Sequence, residues 1–190
     1  MNKVKVIDFF CGIGGVTRGF LDAGIDVLGG IDIDESCKET YVENNIRPNG
    51  KKVKFYNQSI SEFDVSKIKK EISNDEKLVL IGCAPCQPFT TITDTSKKRK
   101  QERQLLDVFA DKVLELDPDY ILGLKKDFNG NNEVLKNFID KLISHNYKLT
   151  AKVQNAANYG VPQNRKRLII FGKKHYSISH PKPTHGESTG

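Results

Sequence analysis

The sequence lacks the long apolar segments and the cysteine spacing that mark membrane and secreted proteins. No apolar run in its 190 residues reaches the roughly 18 positions that a membrane-spanning helix needs. The first residues show no apolar core followed by a cleavage site, so no signal peptide is expected. The four cysteines are irregularly spaced and predict no disulfide framework. We therefore expect a cytoplasmic protein in a reducing compartment, with no membrane association.

What the chain does have is the composition of one folded domain with a moderate positive charge. Its 30 basic and 24 acidic residues leave a formal net charge of +6. At 37% hydrophobic and 28% charged residues, it is typical of globular rather than disordered chains. The charge is compatible with a polyanionic partner, but many cytosolic domains are equally basic. Composition therefore excludes classes without naming a function.

Short β-branched runs alternate with longer amphipathic segments. The predicted strands cover residues 4–9, 25–31, 52–56, 78–81, 119–122, 149–154 and 168–171. The predicted helices cover residues 16–23, 35–45, 61–73 and 132–145, and one more ends near residue 116 after a polar stretch at 90–103. Strands separated by such helices favour right-handed crossovers. The fold class is therefore α/β, with a doubly wound, mostly parallel sheet.

A glycine-rich turn joins the first predicted strand to the first helix. It reads DFFCGIGG over residues 8–15, and glycines there permit positive φ and close approach of a ligand to the backbone. Asp32 ends the second strand, where a carboxylate can accept hydrogen bonds from a ribose diol. The alternative is that residues 32–35 only cap a helix. Because the dinucleotide signature is not matched, a nucleoside without pyrophosphate, such as S-adenosylmethionine, fits better.

A proline-rich cysteine loop follows the fourth strand, at the edge where open α/β sheets bind ligands. Cys83 and Cys86 have C-x-x-C spacing, which is compatible with a metal or redox motif. A zinc site needs two more ligands, and Cys11 and Cys37 do not form a second pair of that spacing, so no metal is predicted. One alternative is that both cysteines of the loop are buried structural thiols. The other is that Cys86, which lies between two prolines, is a positioned nucleophile.

Three segments together resemble the DNA (cytosine-5)-methyltransferases. DFFCGIGG at 8–15 resembles the family's first motif, and PCQPF at 85–89 resembles its catalytic motif. NYGVPQNRKR at 158–167 resembles its Gln-x-Arg-x-Arg motif. The resemblance extends from the N-terminus to about residue 185. It implies a Rossmann-like, S-adenosylmethionine-dependent methyltransferase lobe over residues 1–174, with residues 175–190 as a linker or the start of a target-recognition region.

The resemblance also implies a cofactor site and a covalent mechanism. S-adenosylmethionine would lie over the glycine turn, with Asp32 on its ribose and Ile33 against its adenine. The complete set of implied cofactor-binding residues is Phe10, Cys11, Gly12, Gly14, Gly15, Asp32, Ile33, Ser59 and Pro85. Cys86 would attack C6 of a cytosine flipped out of double-stranded DNA, which activates C5 for methylation.

Residues of the third motif complete the implied catalytic set. Arg165 would donate hydrogen bonds to the flipped base, and Gln163 and Arg167 would support the loop. The basic run at 97–100 is either a solvated face or a phosphate contact. One branch of the family methylates tRNA, so the class of nucleic acid stays open.

The sequence departs from the family pattern in three ways. Gly123 stands where we expect the glutamate of the family's Glu-Asn-Val motif, and loss of a proton donor typically costs about 10²–10⁴-fold in rate. Asp127 is the nearest acid. Ser59 replaces an aspartate that contacts the adenine, and nothing after residue 186 matches the family's recognition region, asparagine motif or final helix.

These departures lead to two functional hypotheses. The first is a DNA (cytosine-5)-methyltransferase of a prokaryotic restriction-modification system, impaired or inactive alone, which is either a split enzyme completed by a second polypeptide or a truncated catalytic fragment. The alternative is a catalytically degenerate subunit that binds the cofactor or DNA without turnover. Covalent trapping on DNA containing 5-fluorocytosine distinguishes the two.

Overall fold

A seven-stranded sheet forms the centre of the protein. The computed structural model describes residues 3–84, 95–125 and 133–186, without the side chains of residues 95–104, 125 and 134. Each predicted strand is present, with ends shifted by a few residues. The strands are β1 (Val4–Phe9), β2 (Asp26–Asp32), β3 (Lys54–Asn57), β4 (Lys77–Gly82), β5 (Tyr120–Lys125), β6 (Tyr147–Asn155) and β7 (Lys166–Lys174).

The strand order confirms the doubly wound, mostly parallel sheet. It runs β3-β2-β1-β4-β5-β7-β6. Strands β1 to β5 pair in parallel, and β7 is antiparallel to both β5 and β6. From β1 the chain proceeds to β2 and β3 on one side, then returns through β4 to the other. The switch point therefore lies between β1 and β4, where open sheets form their ligand crevice.

Within the described residues five α-helices accompany the sheet, and two of the helix predictions were wrong in extent. The helices are α1 (Gly15–Asp22), α2 (Lys38–Asn44), α3 (Ser66–Lys69), α4 (Thr95–Leu116) and α5 (Glu133–Ser144). α3 is shorter than the predicted 61–73, since the Asp64 carboxylate binds the amide and hydroxyl of Ser66 and begins the helix there. α4 begins at Thr95, inside the predicted polar stretch, because Lys, Arg, Gln and Glu have high intrinsic helix propensities.

The sheet buries a different apolar cluster on each face. One cluster joins the strands to α4 and α5, with Ile7, Leu80 and Ile121 packed near Phe109 and Phe138. The other cluster joins the strands to α1 and α2; its buried residues are Val6, Cys11, Leu21, Val27, Tyr41, Val53 and Ile81. Successive strand residues point to opposite faces, so each position on β5 belongs to one cluster or the other.

One edge of the sheet collects the segments that the sequence marks as functional. The parallel strands β1, β2, β4 and β5 all end there, and antiparallel β7 begins there, since Leu168 is opposite Lys125. The glycine turn, the start of the cysteine loop and the segment before β7 therefore approach the same edge. We call it the catalytic edge.

Residues 175–186, which we call the strap, pack back onto β6 and β7. The Thr150 hydroxyl donates to the Ile178 carbonyl oxygen at 2.8 Å, and the His180 ring lies 4.7 Å from the Phe171 ring. The predicted boundary at residue 175 is not tested by these contacts and stays a prediction. Within residues 3–84, 95–125 and 133–186, none of the helices combines the length and apolarity needed to cross a bilayer.

Candidate functional site

The glycine turn is held in a conformation that ordinary residues avoid. Phe10, Gly12 and Gly14 have φ of 60°, 51° and 88°. The amides of Phe10 and Cys11 both donate to the Ile31 carbonyl oxygen, at 2.9 and 3.3 Å, which folds the turn over the end of β2. A Cβ at Gly14 would lie 2.7 Å from the Tyr41 ring, so glycine is required there by space as well as by φ.

Asp32 links this turn to the end of β2. Its Oδ2 accepts from the Gly12 amide at 2.8 Å, and its Oδ1 accepts from the Asp34 amide at 3.0 Å. The helix-cap role belongs instead to Asp34, whose Oδ1 accepts from the Ser36 amide at 3.0 Å. Each Asp32 oxygen keeps a further lone pair, and the residue is 9% exposed. The carboxylate can therefore accept hydroxyl hydrogen bonds as well as position the turn.

The outer side of the turn has room for a ligand. A Cβ built on Gly12 or on Gly15 would meet nothing within 4 Å. Beside this space, Ile13 is 62% exposed and Ile33 is 61% exposed. The surface thus combines two exposed aliphatic side chains with the Asp32 carboxylate and the N-terminus of α1. This combination suits an amphipathic nucleoside. The residues present therefore fit the predicted cofactor.

A buried polar network behind the turn was not foreseen from the sequence. The Thr17 hydroxyl donates to Asp8 Oδ2 at 2.7 Å and lies 3.0 Å from the Tyr41 hydroxyl. Asp8 Oδ1 is buried and has no hydrogen-bond partner among the described residues. Burial, with a smaller contribution from the charge of Asp32 and against the hydrogen bonds from Thr17, raises the pKa of Asp8 to about 7. The sequence signal that could have indicated this network is Asp8 itself, the first residue of the DFFCGIGG segment.

Cys11 has the environment of an unreactive thiol. It is buried in the cluster of α1 and α2, and burial, followed by the charges of Asp8 and Asp32, raises the pKa of its thiol far above the ordinary value. A thiol held in the neutral form is a poor nucleophile. The cofactor-lining prediction for Cys11 concerns its backbone, whose amide folds the turn.

Ser59 follows β3, whose end is paired with the end of β2. Its hydroxyl lies 2.8 Å from the Ser61 hydroxyl, and the neighbouring Gln58 amide donates to the Asp32 carbonyl oxygen at 3.1 Å. Asn57 was not predicted, yet its side-chain amide donates to the Ile33 carbonyl oxygen at 3.0 Å. Its place opposite Asp32 in the β2–β3 register brings it to the predicted adenine side.

The cysteine loop is described only at its beginning. β4 ends at Gly82, and the Cys83 amide donates to the Phe9 carbonyl oxygen at 3.4 Å, beside the glycine turn. Pro85 and Cys86 lie outside the described residues, as does Asp127. Their predicted roles stay predictions.

The third motif forms an exposed segment at the catalytic edge. Gln163 and Arg165 are exposed, and Arg167 is half-buried in β7, where its guanidinium donates to the Lys166 carbonyl oxygen at 2.8 Å. The backbone of this segment is pinned to the end of β6, since the Ala156 amide donates to the Arg165 carbonyl oxygen at 3.0 Å. The Arg165 side chain is thus free to meet a ligand in solvent.

Gly123 lies within β5, beside Gly82, which is the last residue of β4. It is paired with Gly82 and Ile170, and a Cβ there would lie 3.4 Å from Ile170 Cβ. Ile170 belongs to the cluster of α4 and α5, whereas the next residue, Leu124, packs on the face of α1 and α2. A carboxylate at position 123 would therefore enter an apolar core, so the structure provides no support for restoring a catalytic acid there.

Among the described residues, no group of three or more His, Cys, Asp or Glu side chains is arranged to hold a metal ion. The described part of the site is built instead from backbone amides, one shared carboxylate and exposed aliphatic and basic side chains. Together with the switch-point location, these features define a doubly wound domain with a site that suits a nucleoside-type cofactor.

Comparison with known proteins identifies the family. Residues 4–188 match the model of the C-5 cytosine-specific DNA methylases, and the chain belongs to that family. The Type II methylase M.HgiDII of Herpetosiphon aurantiacus is 39% identical over 184 residues, covering 95% of this chain and 50% of that protein. The Type II methyltransferase M.XorII of Xanthomonas oryzae is 30% identical over 100% of this chain and 44% of its own. The family prediction is confirmed.

Solved structures agree on the fold. A structure described as a DNA modification methyltransferase encoded within an E. coli prophage matches with a TM-score of 0.69 and 27% identity, over 90% of this chain and 47% of that one. The S. pombe Dnmt2 methyltransferase matches with a TM-score of 0.68 and 22% identity, over 93% of this chain and 52% of its own, and shows the fold alone. The methyltransferase-type, Rossmann-like fold is confirmed. The chain spans about half the length of the relatives it matches.

Proposed function

We propose that this chain is the cofactor-binding and catalytic lobe of a DNA (cytosine-5)-methyltransferase. The observation that carries the proposal is the Asp32 carboxylate, which binds the Gly12 amide at 2.8 Å beneath an open, glycine-lined surface. In a chain of the C-5 cytosine-specific DNA methylase family, that surface suits S-adenosylmethionine. We place target choice in the half of the relatives' length without a counterpart here, whether the same polypeptide or a partner supplies it.

The residues of the turn have distinct roles toward the cofactor. Asp32 accepts hydrogen bonds from the ribose hydroxyls while holding Gly12, and Ile33 covers the adenine, with Ser59 on its polar edge. The backbone of residues 10–15 lies against the rest of the molecule, with Pro85 closing the site. When bound, S-adenosylmethionine supplies the electrophilic methyl group. Asp32 and Ile33 determine where that group lies relative to the base.

The base chemistry belongs to the cysteine loop and the third motif. The Cys86 thiolate adds to C6 of a cytosine extruded from double-stranded DNA, and C5 thereby becomes nucleophilic. After methylation of C5, loss of the C5 proton and elimination of Cys86 regenerate the thiolate and release 5-methylcytosine. Arg165 donates to the base, and Gln163 and Arg167 hold the segment. Gly123 offers no acid, so turnover by this chain is expected to be slow.

The cofactor site is tested by calorimetric titration with S-adenosylmethionine. Asp32→Ala removes the ribose acceptor and the Gly12 contact, and hydrogen bonds to a charged group are each worth about 1.5–3 kcal/mol, so affinity should fall at least about tenfold. Asp22→Ala is the matched control, because that carboxylate is exposed and forms its ion pair with Arg18 on the surface of α1. Equal affinity in the two variants would contradict the assignment of Asp32.

Catalysis is tested by covalent trapping on duplex DNA of mixed sequence that contains 5-fluorocytosine, in the presence of S-adenosylmethionine. A denaturing gel detects the adduct. We expect Cys86→Ser to abolish it and Cys83→Ser, three residues earlier, to retain it. Cofactor binding without any adduct would favour the alternative, a subunit that binds without turnover.

A further inference from the structure

The loop between β6 and β7 is closed at its base by one side chain, that of Asn155. Asn155 Oδ1 accepts from the Arg165 amide at 2.9 Å and from the Ala157 amide at 3.4 Å. Asn155 Nδ2 donates to Asn164 Oδ1 at 2.9 Å. A single amide thus binds both limbs of the loop.

These hydrogen bonds extend the pairing of β6 and β7 beyond the last residue pair of the two strands. Asn155 is opposite Lys166 at the end of the register, and the Ala156 amide still reaches the Arg165 carbonyl oxygen at 3.0 Å. The Arg165 amide has turned away from β6, and the Asn155 side chain takes the place of the missing carbonyl acceptor. Both backbone groups of Arg165 are therefore held by residues 155 and 156.

The outer limb of the loop has its own support. The Asn158 carbonyl oxygen accepts from the amides of Thr184 and His185 in the strap, at 2.9 and 3.0 Å. The Tyr159 hydroxyl donates to the Pro181 carbonyl oxygen at 3.1 Å. Loss of the Asn155 side chain would consequently release the limb that carries Gln163 and Arg165, while the strap retains the other.

We propose that Asn155 is a positioning residue that sets the backbone of Arg165, and through it the guanidinium presented to the substrate base. This inference rests on the proposed function, in which Arg165 contacts that base. Asn155 itself touches neither the base nor the cofactor. Because the Arg165 side chain is exposed, it can adopt several rotamers. A fixed Cα position limits the volume within which these rotamers place the guanidinium.

Two variants of Asn155 separate its hydrogen-bonding groups. Asn155→Ala removes all three bonds. Asn155→Asp keeps an acceptor for the Arg165 and Ala157 amides and loses only the donor to Asn164. The matched control is Asn44→Ala on α2, whose side chain makes a comparable bond to the Thr40 carbonyl oxygen at 2.8 Å, on the opposite half of the sheet.

The first measurement is amide hydrogen exchange of the 190-residue chain, resolved at Arg165 by NMR. Loss of one hydrogen bond worth about 1 kcal/mol should accelerate exchange at Arg165 about fivefold or more in Asn155→Ala. Asn155→Asp should restore most of the protection, and Asn44→Ala should leave it unchanged. Equal exchange at Arg165 in the original chain and in Asn155→Ala would overturn the inference.

The second measurement is the rate of trapping on 5-fluorocytosine DNA, with S-adenosylmethionine affinity measured alongside. A positioning role predicts a trapping rate about tenfold lower in Asn155→Ala, partial rescue in Asn155→Asp, and unchanged cofactor affinity. If cofactor affinity and trapping fall together, the role is general stability and the inference is wrong. If the original chain binds the cofactor but forms no adduct, the alternative without turnover is favoured; altered exchange at Arg165 then still supports Asn155 as the residue that holds this loop, and unaltered exchange overturns it.

Discussion

The buried carboxyl of Asp8 makes a sharp prediction about pH and stability. Asp8 is 1% exposed, and its Oδ1 finds no hydrogen-bond partner in the part of the chain that the structure describes. Burial raises its pKa from an ordinary value of 3.8 to about 7. The stabilisation from the protonated form is fully present below the unfolded pKa and is lost as the pH rises to about 7.

The size of the effect follows from the two pKa values. Each unit between them corresponds to about 1.4 kcal/mol, so ionising Asp8 in the folded protein costs about 4 kcal/mol in full. Between pH 5 and pH 8 the same relation gives a loss of about 2.5 kcal/mol of unfolding free energy. That is a large share of the about 5–15 kcal/mol that stabilises a typical domain.

The test compares the original chain with Asp8→Asn in urea unfolding at pH 5 and pH 8. Asn can still accept from Thr17 but does not titrate, so the unfolding free energy of the original chain should fall by about 2.5 kcal/mol more than that of the variant. The difference between the two pH values is diagnostic, because an unpaired Asn amide carries a constant cost of about 1–3 kcal/mol. Asp22→Asn, at an exposed site, is the control and should follow the original chain.

Identical changes from pH 5 to pH 8 in the original chain and in Asp8→Asn would refute the reasoning. That result would mean that the Asp8 carboxyl is hydrated and titrates near its ordinary pKa.

Two further predictions concern glycines in the sheet. Gly123→Glu should destabilise the protein by about 3–5 kcal/mol at pH 7 and progressively less toward pH 4, since a carboxylate facing Ile170 must be buried or neutralised. In urea unfolding, Gly123→Gln should lack this pH dependence. If the unfolding free energies of the two variants changed equally with pH, the buried orientation of position 123 would be refuted. Gly30→Ala should cost about 1–3 kcal/mol by thermal unfolding, because its Cβ would lie 2.7 Å from Cys11 Sγ and crowd the Tyr41 hydroxyl; a neutral result would show that Tyr41 can move without loss.

Several features of the site were predictable from the sequence because they are local. The glycines of the turn, Asp32 at the strand end and the cap at Asp34 are each recognisable within a few residues, and the structure places them as a turn, a shared carboxylate and a cap. The short α3 was missed because one carboxylate, Asp64, decides where that helix begins. Such a choice between competing hydrogen bonds is not visible in periodicity.

Other features depend on residues distant in the chain and were not predictable. Asn57 reaches Ile33 only through the β2–β3 register. The pKa of Asp8 depends on how completely α1 and α2 cover it.

By itself, the sequence determined the α/β alternation, the family and the residue types of the site. These are properties of local spacing and of side-chain chemistry. The tertiary structure alone decided that Gly123 faces an apolar core and that Asn155 closes the loop of Arg165. The physical reason is that the face of a strand and the partner of an amide are determined by strand pairing, which depends on residues outside the segment itself.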